Sequence, residues 1–565
     1  MFRGSTLSRA LGATCMGLIV ATTVTSSATR KFYDDDPITR EPESQDASGV
    51  QARDIDLFFD LSWNLLGRPG DTTPNVRARN INTIDEVPDS NWFTNRIFAR
   101  PLSSEEAARG PLSGSGPAPG GWTIVAPKRA GDAPGFTMRD SKGELWFVSF
   151  DARGHPEAAT SAILVANKIF WTIGYWQVEN YLAAVRPETL EIGESATVMH
   201  LSGVRRKMAR SDVDAVLSRA HRSPDGSYRA VAGRGLPGRP LEGFFYYGTR
   251  TDDPNDIVPH EHRRELRALK VFGTWTNLVD MKAGNTLDTL ITENGRSVVR
   301  HYLQDVGSTF GSGANGPHDF FEGWEYLYDG GVTLKRLATF GFLLPPWQRV
   351  DYEDHESIGR FEADAFDPVR WKPRAPTAAF LHARPDDSFW AARRVMAFSD
   401  EMIRALVATG QYSDPSSARH LADVLSKRRD AIGRVYLTAL NPIADPSLDV
   451  SGTLTFRNVA VEANFAQAPQ AYRTNWFAFD NVTLESRPLG EVSGASSRLQ
   501  GPAALPSTPG AFIKIEMSAV GGPNASWQKP VHAYFKRLDA GWRVVGFERL
   551  PDEQVEGSKF KVQSK

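Results

Sequence analysis

Three polar residues follow one another in an order that suits the handling of phosphate and metal ions. Asp280 is followed by Asn285 five positions later, and Asp305 comes after a further β-prone stretch. A carboxylate beside an attacking hydroxyl accepts its proton, while carboxylate and amide oxygens hold Mg²⁺ between phosphates. Asp280 is therefore the candidate catalytic base, and Asn285 and Asp305 are candidate ligands of Mg²⁺ or Mn²⁺.

The elements around these residues determine whether they can meet. Apolar residues at helical spacing predict a helix over 259–278, which ends just before Asp280. The pair Asn294-Gly295 between two β-prone runs predicts a hairpin, because both residues accept the positive φ of its turn. This hairpin is expected to return the chain to Asp305, beside the loop that carries the other two residues.

The rest of the chain indicates an α+β protein. Three β-prone runs joined by polar turns predict an antiparallel sheet over 122–150, and a helix is predicted over 157–173. Helical periodicity dominates from 387 to 440. Short β-prone runs with Gly, Pro and Ser breaks follow, and they predict a β-rich C-terminal domain over 441–565.

This ordered set of motifs resembles the catalytic segment of the protein-kinase-like superfamily. In that family Asp-x-x-x-x-Asn precedes a hairpin and a triplet of the type Asp305-Val306-Gly307. Leu278-Val279 stands where most members have His-Arg, which is similar to atypical branches such as the HipA-like and CotH-like kinases. A further similarity, to a group of secreted bacterial proteins that share the run from His260 to Leu266, implies no function.

The kinase-like resemblance implies domain boundaries and nucleotide contacts. It implies a two-lobed domain over 122–440, with a small lobe over about 122–250 and a large lobe over about 251–440. The loop after the first strand then corresponds to a phosphate loop that is poor in glycine. The residues implied to contact ATP or another nucleotide are Lys128, Ser149 and Lys282.

Two positions depart from the family pattern. A kinase-like site normally has a Lys on the third strand and a Glu on the next helix, and here Ser149 and Ile163 take those positions. The two losses belong together, because a buried carboxylate without its cation costs roughly several kcal/mol. They indicate a degenerate site, or pseudokinase, unless Arg153 or Lys168 supplies the charge and Glu157 supplies the carboxylate.

Composition sets the surrounding expectations. A chain of 565 residues is too long for one core, and its net charge of -2 gives no reason to expect nucleic-acid binding. Residues 1–28 are typical of an export signal, which predicts a periplasmic or extracellular protein without a membrane span. Cys15, the only cysteine, lies in that segment, so thiolate chemistry is excluded from the mature chain. Residues 29–121 are predicted to form an N-terminal strap and linker.

The run that begins at His260 has a second interpretation. His260 and His262 are two positions apart, so on a helix they point to different faces and are poorly placed to share a metal. Together with Arg263, Arg264 and Arg267 they are predicted to form an exposed, ion-paired helix start.

Two classes of function follow from the sequence. The first is an exported kinase-like protein that binds a nucleotide or another phosphorylated ligand with a divalent metal, as a phosphotransferase or as a pseudokinase. The second is a non-catalytic scaffold of the cell envelope that binds an envelope protein through its C-terminal domain. A carbohydrate-active protein is a weaker third interpretation, because it needs paired carboxylates in one cleft.

Overall fold

The computed structural model describes residues 30–128, 131–199, 203–342 and 344–551. It shows a mixed α+β protein with several sheets. The expected export signal and Cys15 lie outside the described residues. None of the helices in the described ranges has the length and hydropathy needed to cross a lipid bilayer.

The helices are concentrated in the middle of the chain. The α-helices are α1 (Leu57–Ser62), α2 (Ser104–Arg109), α3 (Ala158–Ile173), α4 (Arg210–Leu217), α5 (Arg264–Thr276), α6 (Gly330–Ala338), α7 (Ala378–Leu381), α8 (Pro385–Val395), α9 (Asp400–Ala408), α10 (Pro415–Ala439) and α11 (Val459–Glu462). A π-helical turn covers Trp63–Gly67, and 3₁₀ turns cover Pro187–Thr189, His260–His262, Ala283–Asn285, Pro346–Arg349 and Ala525–Gln528.

The strands precede and follow this helical region. They are β1 (Trp122–Pro127), β2 (Gly135–Arg139), β3 (Leu145–Phe150), β4 (Asn180–Val185), β5 (Leu190–Ile192), β6 (Thr197–Met199), β7 (Arg205–Lys207), β8 (Tyr228–Arg234), β9 (Arg239–Pro240), β10 (Leu287–Glu293), β11 (Arg296–Tyr302), β12 (Ser312–Gly313), β13 (Gly316–Pro317), β14 (Ile443–Leu448), β15 (Thr453–Asn458), β16 (Ala471–Phe479), β17 (Ser486–Gly494), β18 (Arg498–Gln500), β19 (Phe512–Val520), β20 (Val531–Leu538) and β21 (Gly541–Glu548).

The first large sheet has the strand order β4-β8-β3-β2-β1-β5, and only the β1–β5 pair is parallel. Alternate residues of β3 are buried, namely Trp146, Val148 and Phe150, because side chains alternate between the two faces of a strand. These side chains form a core of their own with residues of α4. Helix α3 lies between β3 and β4 in the chain, and it contributes Val165 and Ile169 to the larger core of the helical region.

Helix α5 delivers the predicted site loop. Its buried face includes Phe272 and Trp275. The helix ends where Asn277 adopts a left-handed conformation with φ 56°, which asparagine tolerates better than most residues. Leu278 and Val279 then stay buried, so the chain emerges from the core at Asp280, which is half-buried.

The C-terminal strands pack directly on the helices. The five-stranded antiparallel sheet has the order β17-β16-β19-β20-β21, and β14, β15 and β18 form a smaller sheet. Trp476, Ile515 and Met517 of the larger sheet belong to the same continuous core as Phe389 and Leu425 of the helices. The predicted region 441–565 is therefore rich in β-structure over its described part, and it shares its core with the helical region.

Residues 30–67, here called the N-terminal strap, run across several of these elements. Phe32 is buried between the C-terminal strands, and the Lys31 Nζ lies 2.7 Å from the Glu548 Oε1. Ala47 and Val50 then pack beside the β10–β11 hairpin. Helix α1 lies next to the loop that carries Asp280. The strap thus connects the last strand with the predicted site.

The prediction of an exposed helix start at His260 is wrong. His260, Arg263, Arg264 and Arg267 are each at most 1% exposed. The three arginines are paired instead with carboxylates from distant segments, such as Glu41 of the strap and Asp387 at the start of α8. Local spacing cannot reveal partners that only the folded chain supplies.

Candidate functional site

Asn285 connects the two acidic residues that the sequence singles out. Its side-chain Nδ2 donates a 2.7 Å hydrogen bond to the backbone oxygen of Asp280. Its own backbone oxygen accepts the N–H of Asp305 at 2.9 Å. Because the amide nitrogen is used inside the loop, the amide oxygen of Asn285 is left as a neutral ligand atom. Asp280, Asn285 and Asp305 therefore form one connected group.

The Asp280 carboxylate is held by two cations. Its Oδ2 lies 2.8 Å from the Lys282 Nζ and 3.6 Å from the Arg374 Nη1. The Arg374 Nε also donates to the buried Glu322 carboxylate, and the Arg374 backbone N–H donates to the Val279 oxygen at 2.8 Å. Lys282 thus contacts the predicted base.

Asp305 lies at the surface of this group, where a ligand can reach it. One carboxylate oxygen, Oδ1, accepts the backbone N–H of Gly307 at 3.0 Å, which fixes the side chain above the turn. The other carboxylate oxygen keeps its lone pairs. Together with the amide oxygen of Asn285, it suits a hard cation such as Mg²⁺ or Mn²⁺, which prefer oxygen ligands.

Lys128 extends the group across to the first large sheet. Its Nζ donates a 3.1 Å hydrogen bond to the Ser149 Oγ on β3. The surrounding protein desolvates this ammonium and lowers the pKa of Lys128, while Asp305 and Asp132 oppose that effect. Lys128 is nevertheless exposed, so a ligand can reach its ammonium. The structure therefore brings Lys128 and Ser149 toward Asp305.

Ile163 of helix α3 makes an apolar contact with Gly307, two residues after Asp305. A Cβ atom on Gly307 would lie 2.6 Å from the Ile163 Cγ1, so only glycine fits there without a shift of Ile163. The two residues considered as substitutes on this helix are engaged elsewhere. The Lys168 Nζ donates to the Leu164 oxygen at 3.4 Å, and Glu157 accepts the backbone N–H of Ser413 at 2.9 Å. Burial lowers the pKa of Lys168 to about 8.

The strap supports the site loop from behind. The Asp60 Oδ2 accepts the backbone N–H of Ala283 at 3.4 Å, and the Asn64 Nδ2 donates to the Asp60 Oδ1 at 3.0 Å. Burial raises the pKa of Asp60. Leu57 lies against Gly284, where an added Cβ would come within 2.6 Å of the Leu57 Cδ2. Helix α1 thereby fixes the loop between Asp280 and Asn285.

Sequence reasoning missed the residues that surround Asp280 from the other side. Arg374 and Glu322 come from the segment that follows Asp305, and so does His318, which is 3% exposed. The His318 Nε2 lies 3.0 Å from the Ser308 Oγ, and burial lowers the pKa of His318 to about 4. No motif marks these residues, because the segment from 318 to 374 consists mainly of loops.

A second group of metal-capable side chains lies on other elements. The ligand atoms of Glu353, His355 and His420 all lie within 4.8 Å of one another, and within the described ranges this is the one such group of three histidine or carboxylate residues. Glu353 and His355 follow the 3₁₀ turn at 346–349, and His420 lies on α10. This group contains none of the residues predicted from the sequence.

No model of a known protein family matches the chain, and no curated protein sequence gives a significant match to it.

Proposed function

We propose that the protein is an exported, kinase-like protein that binds a nucleotide or another phosphorylated ligand together with Mg²⁺ or Mn²⁺. In this proposal the two lobes are the sheet region before about 250 and the helical region after it. The ligand lies between them, and it contacts Ser149 on one side and Asp305 on the other. Asn285 and Asp305 hold the cation, which neutralises phosphate charge when bound.

The contact between Lys128 and Ser149 is the observation that carries this proposal. In a kinase-like site a lysine on the third strand holds the phosphates, and Ser149 occupies that position here. Lys128 comes from the loop after β1, yet its ammonium reaches the Ser149 Oγ at 3.1 Å and acts on Asp305. In this proposal, Lys128 of the neighbouring loop supplies the cation that the sequence of β3 lacks. This argues against degeneracy at the phosphate-binding end.

The arrangement around Asp280 is compatible with phosphoryl transfer. Asp280 accepts the proton of an attacking hydroxyl, and Lys282 and Arg374 stand beside it, where negative charge develops on the transferred group. The donor need not be ATP, since export places the protein where ATP is scarce.

A second candidate function is non-catalytic ligand binding in the cell envelope. The apolar contact between Ile163 and Gly307 favours it, because the carboxylate that normally orients the lysine is replaced by a packed side chain. The C-terminal sheet then supplies the surface for an envelope protein. In both functions the phosphorylated ligand binds at Asp305, so one binding experiment tests their shared premise.

The test is a thermal shift of the mature protein with ATP, ADP or GTP, each with and without Mg²⁺ or Mn²⁺. We expect a metal-dependent rise in Tm, because a ligand that binds only the folded state stabilises it. Asp305→Ala and Lys128→Ala are expected to abolish the rise. Lys142→Ala is the matched control, since Lys142 is exposed in the turn between β2 and β3.

The outcomes separate the two functions. A rise that is accompanied by phosphate transfer, and a transfer that Asp280→Asn abolishes, supports the phosphotransferase. A rise without transfer to protein or small-molecule acceptors supports non-catalytic binding. No rise in Tm at millimolar nucleotide, with either metal, would overturn the nucleotide-binding proposal.

A further inference from the structure

The Glu353 carboxylate faces two imidazoles at the distances expected for ligands of one metal ion. Its Oε2 lies 3.3 Å from the His355 Nε2 and 3.2 Å from the His420 Nδ1. Two ligands that are each about 2.05 Å from a tetrahedral zinc ion lie about 3.3 Å apart. Two of the three edges of a tetrahedral face therefore have the expected length, and all three ligand atoms lie within 4.8 Å of one another.

The hydrogen bond on the far side of His420 fixes its tautomer. The His420 Nε2 lies 3.1 Å from the backbone oxygen of Phe361. A carbonyl oxygen only accepts, so Nε2 must carry the proton, and in the neutral ring the Nδ1 then has a lone pair. That lone pair points at a carboxylate oxygen. Two atoms that both carry lone pairs thus face each other, as two ligands of one cation do.

His355 is oriented in the same way by its other nitrogen. The His355 Nδ1 lies 3.3 Å from the Ser417 Oγ, which in turn donates to the Asp414 Oδ2 at 2.9 Å. A ligating histidine usually has its second nitrogen engaged by a carboxylate, a hydroxyl or a carbonyl, which directs the first nitrogen at the metal. Both imidazoles show this supporting shell, and a simple surface ion pair does not require it.

We infer that Glu353, His355 and His420 form a binding site for a divalent cation of the zinc type. Two imidazole nitrogens with one carboxylate oxygen suit Zn²⁺ or Co²⁺, whereas Mg²⁺ prefers an all-oxygen shell. The chemistry of this site therefore differs from that of Asn285 and Asp305, and it does not rest on the nucleotide-binding proposal.

The shape of the site indicates its coordination and its role. The side chains of His355 and His420 are 12% and 10% exposed, whereas that of Glu353 is 72% exposed. Three protein ligands leave a fourth position open on the Glu353 side, which water can fill. A bound ion ties the loop that carries Glu353 and His355 to α10. It thereby fastens the long segment after Asp305 to the helical region.

The test is zinc binding by the full mature chain after treatment with a chelator. We expect one equivalent of Zn²⁺ per chain, a zinc-dependent rise in Tm, and a Co²⁺ spectrum with the intense visible absorption of four-coordinate cobalt. His355→Ala and His420→Ala are expected to abolish all three. Ser417→Ala, which removes a supporting hydrogen bond, is expected to weaken zinc binding about tenfold.

Matched controls separate this site from unspecific binding and from misfolding. Glu356→Gln changes the charge of the same loop as Glu353→Gln, but only the Glu353 variant is expected to weaken binding. Asp305→Ala is expected to bind zinc like the wild type. The metal-free histidine variants should match the metal-free wild type in far-UV circular dichroism.

Two results would overturn the inference. The first is less than a tenth of an equivalent of zinc with no cobalt spectrum, which would show that the three side chains hold no metal. The second is an equal rise in Tm for the wild type and both histidine variants, which would place the zinc elsewhere.

Discussion

His318 is a buried imidazole that contacts the turn after Asp305. Burial lowers its pKa from 6.5 to about 4, and Arg374 acts in the same direction. In the unfolded chain the ring takes up a proton near pH 6.5. Between these two values the unfolded state binds more protons than the folded state, so the free energy of unfolding decreases as the pH falls.

His318 should therefore make the protein acid-sensitive. Over the range from pH 6.5 to pH 4, its contribution to the loss of stability is expected to approach about 3 kcal/mol. The measurement is urea unfolding at pH 7, 5.5 and 4.5 for the wild type and for His318→Gln, whose side chain stays neutral. The variant should lose less stability on acidification. Equal pH dependence in both proteins would show that His318 does not titrate in this way.

The centre of the candidate site could be predicted because its residues are close in sequence. Asp280, Asn285 and Asp305 are joined by a short loop and one hairpin, and the structure links them by hydrogen bonds. Arg374 could not be predicted, since it lies 94 positions beyond Asp280 in a segment without periodicity. Lys128 was predicted to contact the ligand. Its hydrogen bond with Ser149 could not be predicted, because it depends on how the loop after β1 lies against β3.

The starts of helices α5 and α8 are held together by buried charges. The Arg264 Nε lies 2.9 Å from the Asp387 Oδ1, its Nη2 lies 3.1 Å from the Asp386 Oδ2, and its Nη1 lies 3.0 Å from the Asp85 Oδ1. These side chains are nearly inaccessible to water. Arg267, Arg384 and Arg77 also pair with these carboxylates, so Arg264 lies at the centre of a buried network of opposite charges.

Arg264→Met is expected to destabilise the protein by about 3–5 kcal/mol, because it removes the cation that three buried carboxylates share and leaves each of them with less compensating charge. Arg210→Ala is the comparison, since Arg210 forms an exposed ion pair with Asp214 within α4. That change should cost less than about 1 kcal/mol. Urea unfolding monitored by tryptophan fluorescence gives both values. Similar values for the two variants would mean that the buried network contributes little.

At the scale of elements, local signals predicted most of the fold that surrounds the site. The strands at 122–150, the helix that ends at Gly174 and the hairpin at Asn294-Gly295 are all confirmed. Each of these elements is specified by its own periodicity and turn residues. The environment of α5 was predicted wrongly, because Arg264 finds Asp386 122 positions further along the chain.

The N-terminal strap packs against the C-terminal sheet through a buried aromatic residue. Phe32 is 3% exposed and lies between the rings of Phe479, Phe512 and Tyr534, with centroid distances of 6.3, 6.2 and 5.1 Å. Its neighbour Tyr33 is 53% exposed. The two adjacent aromatic residues therefore provide a matched pair for testing whether the strap contributes to global stability.

Phe32→Ala is expected to lower the free energy of unfolding by about 3 kcal/mol, because it removes a buried aromatic side chain and leaves a cavity. Tyr33→Ala should change it by less than about 0.5 kcal/mol, as is usual at exposed positions. Urea unfolding measures both changes, and limited proteolysis shows whether the strap has detached. A stability of Phe32→Ala equal to the wild type would mean that the strap only rests on the sheet.

At the scale of the molecule, composition predicted the regions of the chain but not how they pack. The change of character near residue 442 marks where strands replace helices. It does not reveal that the Trp527 Nε1 donates to the Thr438 oxygen at the end of α10, or that both regions share one core. Contacts of this kind depend on tertiary complementarity, which no local pattern encodes.

The ion pair between Lys31 and Glu548 joins residues that are 517 positions apart. A chain is synthesised from its N-terminus, so residues near Lys31 exist long before the strands that receive them. Closing so long a loop carries an entropic cost that can be met only when the last strand has formed. The start of the strap is made early but is therefore among the last parts to reach its native contacts. Through most of synthesis, the site loop lacks a strap that is anchored at both ends.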